Sequence, residues 1–101
     1  MPIKTIEPEA VKQWLESQPE GAIVGTAQAC GDCPLARFLN SLRAALGLNN
    51  YKAAVMSKWW CVGTFSGNHD QWAKDFIEQI DTLHPGEITR EQALQILENC
   101  L

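Results

Sequence analysis

The chain has 101 residues, of which 46% are apolar and 20% are charged, and this composition predicts one compact domain over residues 1–101. Its formal net charge is −4, and its eight lysines and arginines are scattered along the sequence. Because nucleic-acid binding needs a basic stripe that neutralises phosphates, we expect no nucleic-acid partner. No window approaches the roughly 20 apolar residues that span a bilayer, so no membrane partner is expected either.

The first residues of the sequence, Met1 to Thr5, lack the apolar stretch of a signal peptide, which favours a cytoplasmic location. Thiols stay reduced in that compartment. The four cysteines are therefore interpreted as free thiols or metal ligands before disulfides.

The beginning of the sequence predicts a helix followed by an extended segment. The helix begins near Pro8, whose missing N–H suits a first turn, and it ends at the turn Pro19-Glu20-Gly21. Residues 22–27 are partly β-branched, which is consistent with a buried strand or with simply extended chain.

A second helix has the clearest local signals. It begins at Pro34 after a cap at Asp32 or Cys33. Its apolar residues recur at helical spacing, and Gly47 ends it in a left-handed conformation.

The middle of the chain predicts a β-hairpin. Ala53–Met56 and Trp59–Val62 are two short runs of strand-like residues, and Ser57-Lys58 between them fits a two-residue turn. Residues 66–68 are interpreted as a loop that leads into the next helix.

Two further helices complete the predicted elements. Apolar spacing favours a third helix over residues 69–83, broken by His84-Pro85-Gly86. Thr89 and Gln92 form the capping box of a fourth. The whole order predicts an α+β fold that is mostly helical, with about four helices and a short antiparallel sheet of two, or else three, strands between the second and third helices. An almost all-helical fold, with the hairpin reduced to a loop, is the alternative.

The sharpest local motif is Cys30-Gly31-Asp32-Cys33-Pro34, which places two thiols about one turn apart at a helix start. The free N–H groups and the dipole at such a position lower a thiol's pKa, as redox-active Cys-x-x-Cys motifs require. The βαβ context of a thioredoxin-like fold is missing. The simpler interpretation is a capping turn with two semi-buried cysteines.

A zinc site would need more ligands, since structural zinc usually takes four from cysteine and histidine. Cys30 and Cys33 could combine with Cys61 and His69, but the second pair is too widely spaced for a compact knuckle. We therefore expect no stoichiometric metal and no cofactor, and this four-residue set stays as the alternative.

Trp59 and Trp60 are neighbours on a predicted strand, where consecutive side chains point to opposite faces. With helices on one side of a small sheet, one of the two rings would lie at the surface unless a loop covers it. An exposed tryptophan beside a polar rim is typical of a binding anchor, so both residues are interface candidates. Arg37 is a third, although a solvated or locally paired side chain is its simplest interpretation.

One stretch resembles known sequences. Cys33–Leu39, preceded by Ile23-Val24-Gly25 and followed by Trp72–Glu78, resembles a pattern in small uncharacterised bacterial proteins, with a Cys-Pro-Leu-Ala helix start and a Trp-Ala-x-x-Phe helix. The resemblance covers residues 10–81 and implies no activity and no functional residue. Such short proteins also come from phages and mobile elements, where many bind and block a host protein.

The sequence lacks a phosphate loop, a nucleophile elbow and a zincin helix, so no catalytic residue is predicted. Small size, mild acidity and abundant tryptophan favour a non-enzymatic interaction or regulatory module, with an inhibitor of a host protein as one form of it. Its partner would be another protein or a second copy. The alternative is a thiol-based redox or zinc-binding protein that uses Cys30 and Cys33.

Overall fold

The computed structural model describes residues 6–42, 52–62, 65–83 and 86–101. The predicted α+β class is confirmed, with four helices among the described residues and small antiparallel sheets. In chain order the elements are α1 (Pro8–Glu16), β1 (Ile23–Thr26), α2 (Pro34–Leu42), β2 (Ala53–Val55), β3 (Trp59–Val62), β4 (Phe65–Asn68), α3 (Gln71–Leu83), β5 (Glu87–Thr89) and α4 (Arg90–Asn99). The predicted helix end at Gly47 and the His84-Pro85 part of the predicted break lie outside the described residues.

A two-stranded antiparallel sheet joins β1, in the first third of the chain, to β5, which directly precedes the last helix. β1 pairs with β5, and Ala27 N–H extends the ladder by donating to Gly86 O at 2.8 Å. At the other end Arg90 N–H donates to Ala22 O at 2.8 Å. Residues 22–27, which the sequence left open between strand and extended chain, are thus held as a strand by a partner more than 60 residues away.

The predicted hairpin forms the first two strands of a three-stranded sheet in the order β2-β3-β4. Met56 N–H donates to Trp59 O at 2.8 Å and closes the two-residue turn Ser57-Lys58. The prediction of a loop at residues 66–68 is wrong, because they belong to β4, which pairs with β3 along its length.

The third helix begins two residues later than predicted. The C=O of Asp70 accepts hydrogen bonds from Ala73 N–H at 3.1 Å and Lys74 N–H at 3.2 Å, so Asp70 is the cap and the first helical residue is Gln71. Residues 69 and 70 are then the connection that turns the chain from β4 into α3.

The core draws on all four helices and both sheets. Its largest fully buried side chains include Leu15, Leu35, Trp60, Phe76, Ile88 and Leu97. Each comes from a different element, so burial of apolar area ties the two small sheets together through the helices. No helix in the described parts of the chain is long and apolar enough to cross a membrane.

Candidate functional site

The Cys30–Cys33 segment forms one helical turn that leads into α2. The C=O of Ala29 accepts from Asp32 N–H at 3.0 Å and from Cys33 N–H at 2.8 Å. Cys33 O in turn accepts from Arg37 N–H at 2.9 Å, which makes Cys33 the N-cap of α2. Cys30 and Cys33 therefore lie three residues apart on one turn.

This turn also connects the two sheets. On one side Thr26 N–H, in β1, donates to Asp32 O at 2.8 Å. On the other side Val55 N–H, in β2, donates to Cys30 O at 2.7 Å. The backbone around the cysteines is therefore fixed from both directions.

Arg37 makes local pairs that reinforce the same junction. Its Nε–H donates to Asp32 Oδ1 at 2.8 Å, and its Nη1 donates to Ile23 O at 3.1 Å. The hydroxyl of Thr26 donates to Asp32 Oδ2 at 2.7 Å. The hydrogen bond from Arg37, followed by that from Thr26, holds the pKa of Asp32 below its ordinary value. The guanidinium thus ties the start of α2 to β1 and uses three of its five N–H donors within the chain.

Both thiols line an open cavity of about 300 Å³ between the cysteine turn, the β2–β3 hairpin and α3. The remaining lining residues are Gln28, Ala29, Val55, Met56, Ser57, Ile77 and Asp81. Gln28 has a left-handed φ of 61°, and its backbone N–H donates to Asp81 Oδ1 at 2.8 Å. Its side-chain Nε2 donates to Asp81 O at 3.2 Å, so two bonds hold this rim to α3.

The two cysteines differ in environment. Cys30 is exposed, whereas Cys33 is buried. Burial raises the pKa of Cys33 to about 11, although hydrogen bonds from the backbone of Ala36 and Leu35 act in the opposite direction. The lowering expected at a helix N-terminus is therefore outweighed by the loss of solvent around the thiol.

The structure does not assemble the four-residue zinc set. Within the described residues, no group of three or more histidine, cysteine, aspartate or glutamate side chains is placed to hold a metal ion. Cys61 lies on β3 and is half-buried, while His69 is 6% exposed with its Nε2 at 2.9 Å from Met56 O. A carbonyl only accepts, so Nε2 carries the proton of the neutral ring.

The two tryptophans point to opposite faces, as the strand periodicity predicts. Trp60 is 0% exposed and Trp59 is 44% exposed. Trp60 faces the helices together with the buried Val62, whereas Trp59 faces away from them. Trp60 therefore has no surface to offer a partner, and the interface candidate on this strand narrows to Trp59.

The outer face of the three-stranded sheet consists of Ala54, Trp59, Cys61, Ser66 and Asn68. Register places them on one side, since Trp59 pairs with Asn68 and Cys61 pairs with both Ala54 and Ser66. All five are exposed or half-buried, and none is charged. This set is called the tryptophan face below.

Sequence reasoning found the cysteines and Trp59 but missed the rest of both sites. Gln28, Met56 and Asp81 reach the cavity from three separate segments, and each has an ordinary residue type for its own element. No local pattern marks them, because they meet only when α3 packs beside the cysteine turn.

No protein-family model, curated protein or solved structure matches this chain. No relative therefore supplies a role for the thiol cavity or for the tryptophan face.

Proposed function

We propose that this chain is a small, non-enzymatic interaction module of the cytoplasm, which docks a protein partner on the tryptophan face and thereby regulates or inhibits it. The observation that carries the proposal is Trp59, 44% exposed at the hairpin end of a face of five uncharged residues. Tryptophan is among the residues most enriched at the energetic centres of interfaces, because it buries a large rigid area with one polar group.

The charge around the tryptophan face favours a different protein over a second copy. Lys52 precedes β2, Lys58 lies in the hairpin turn, and both are exposed. Two copies packed face to face would bring these lysines into one interface with no carboxylate on either face to neutralise them. A partner with an apolar pocket bordered by carboxylates would bury Trp59 and pair with the lysines at the rim.

Affinity capture from cells of the source organism, followed by binding measurements with the captured protein, tests this proposal. Trp59→Ser is expected to weaken binding by at least about tenfold, since truncation of an interface anchor costs about 2 kcal/mol or more. Lys58→Glu is also expected to weaken binding and to reduce its dependence on salt, because the charge of the two rim lysines falls from +2 to 0. Circular dichroism establishes that both variants are folded.

Leu83→Ser is the matched control. Leu83 is 58% exposed at the end of α3 and is not part of the tryptophan face, so its removal tests whether any exposed apolar side chain has the same effect. Equal loss in both variants, or unchanged binding of folded Trp59→Ser, would reject the tryptophan face as the docking site. A dimer in light scattering that Trp59→Ser dissociates would replace the partner with a second copy.

A further inference from the structure

The thiol cavity contains three sulfur-bearing residues from two segments. Cys30 and Cys33 belong to one helical turn, and Met56 lies where the β2–β3 hairpin reaches the same cavity. Val55 N–H donates to Cys30 O at 2.7 Å, so the segment that carries Met56 is fixed directly against the cysteine turn. Cys30 is open to solvent and Cys33 is buried behind it.

Cys30 and Cys33 lie on the same turn, which the hydrogen bonds from Asp32 N–H and Cys33 N–H close at Ala29 O, and both line the cavity. Two metal–thiolate bonds of about 2.3 Å each would hold the sulfurs as much as 4.6 Å apart.

The ligand types decide which metal fits. Structural zinc takes four cysteine or histidine ligands, and among the described residues no three histidine, cysteine, aspartate or glutamate side chains are placed to hold a metal ion. Thiolate and thioether sulfurs are soft ligands that select Cu(I), an ion that is satisfied by low coordination numbers. We propose that Cys30 and Cys33 bind one Cu(I) ion as thiolates, with the thioether of Met56 as a third ligand.

Binding converts two thiols and one Cu(I) ion into a bis-thiolate complex with a charge of −1, and it releases two protons to solvent. The ion keeps its oxidation state, so no oxidant or reductant is consumed. The exposed Cys30 captures the ion, and the buried Cys33 and Met56 complete its coordination inside the cavity.

Anaerobic titration of the reduced full-length chain with Cu(I), supplied as its acetonitrile complex and competed by bicinchoninate, tests the proposal. We expect the protein to withhold one equivalent from the chelator, with thiolate-to-copper absorption in the ultraviolet. Loss of an outer-shell partner alone costs about 10–100-fold in metal affinity. Cys30→Ser is therefore expected to lower the affinity by at least about 100-fold, and Met56→Leu by about tenfold.

Cys61→Ser is the matched control, because Cys61 is half-buried on β3 outside the cavity lining, and it should retain the wild-type affinity. Cys30→Ser decides the test even if Cys33→Ser fails to fold, since Cys30 is exposed. An undiminished affinity of Cys30→Ser for Cu(I) would overturn the proposed site. So would an equal loss of Cu(I) affinity in Cys61→Ser and Cys30→Ser. One tightly bound zinc ion would replace the copper site with the zinc alternative. If the chain bound no copper and lost two hydrogen atoms in the mass spectrum after mild oxidation, the redox alternative would replace it. Trp59→Ser should still bind Cu(I), so this result is independent of the proposed docking function.

Discussion

At the scale of single residues, Gly25 shows how tightly β1 is packed against the start of α2. A Cβ atom built at Gly25 would lie 2.4 Å from Pro34 N and 2.7 Å from Cys33 C. Both are backbone atoms and cannot rotate away. We therefore expect Gly25→Ala to lower the free energy of unfolding by about 3 kcal/mol, at the upper end for overpacking, measured by urea denaturation.

Gly31→Ala provides the comparison for that substitution. A Cβ at Gly31 would meet nothing within 4 Å, and its φ is outside the left-handed region. Its effect should stay within about 0.5 kcal/mol, as for most surface changes. If Gly25→Ala were as mild as Gly31→Ala, the close approach of β1 to the cysteine turn would be wrong.

At the scale of elements, the start of α4 depends on the capping box that the sequence predicts. Gln92 N–H donates to the Thr89 hydroxyl at 3.2 Å, and Thr89 N–H donates to Gln92 Oε1 at 2.9 Å. Thr89→Ala removes the first of these bonds and is expected to cost about 1 kcal/mol. Thr89→Ser keeps the hydroxyl, so thermal denaturation should give a midpoint near that of the wild type. Equal losses in the two variants would mean that the methyl group, rather than the cap, stabilises this end.

The helices could be predicted because their signals are local. Pro8 and Pro34 suit first turns, and the Thr89 capping box lies within four residues, so α1, α2 and α4 each carry a start signal in their own sequence. β4 and β5 could not be predicted, because Ser66-Gly67-Asn68 has the composition of a loop and Glu87–Thr89 contains a single apolar residue. They are strands only because β3 and β1 offer them partners.

The same distinction explains what could be predicted of the candidate sites. The opposite orientation of Trp59 and Trp60 follows from strand geometry alone, and the shared turn of Cys30 and Cys33 follows from their spacing just before Pro34. Which ring is covered depends on where the helices pack, which no window of sequence contains. Asp81 is hydrogen-bonded to Gln28 across 53 residues, and this contact exists only in the folded chain.

At the scale of the whole molecule, His69 joins the hairpin to the strand and helix that follow it. Its backbone N–H donates to Lys58 O at 2.9 Å, and the ring Nε2 lies 2.9 Å from Met56 O. The ring is buried, and its Nδ1 has no hydrogen-bond partner among the described residues. One backbone and one side-chain hydrogen bond of His69 therefore hold the hairpin to the connection between β4 and α3.

This arrangement makes stability depend on pH. Burial is the main cause that lowers the pKa of His69 from its ordinary value of 6.5, and Lys74 acts in the same direction. Below pH 6.5 the unfolded chain binds a proton that the folded chain does not, so the free energy of unfolding falls as the pH drops through 6.5 toward the lower pKa of the folded state. The slope from this one group is at most about 1.4 kcal/mol per pH unit. Urea denaturation at a series of pH values measures it.

His69→Gln separates this effect from other titrations, because glutamine retains an N–H donor for Met56 O but does not titrate. The variant is expected to be less stable than the wild type at pH 7.5, since the glutamine side chain does not fill the space of the buried imidazole ring. Its stability should change less between pH 7 and 5, because the proton uptake of the unfolded state at position 69 is gone. Parallel pH profiles for the two proteins would mean that the buried imidazole is not the group that couples the fold to protons.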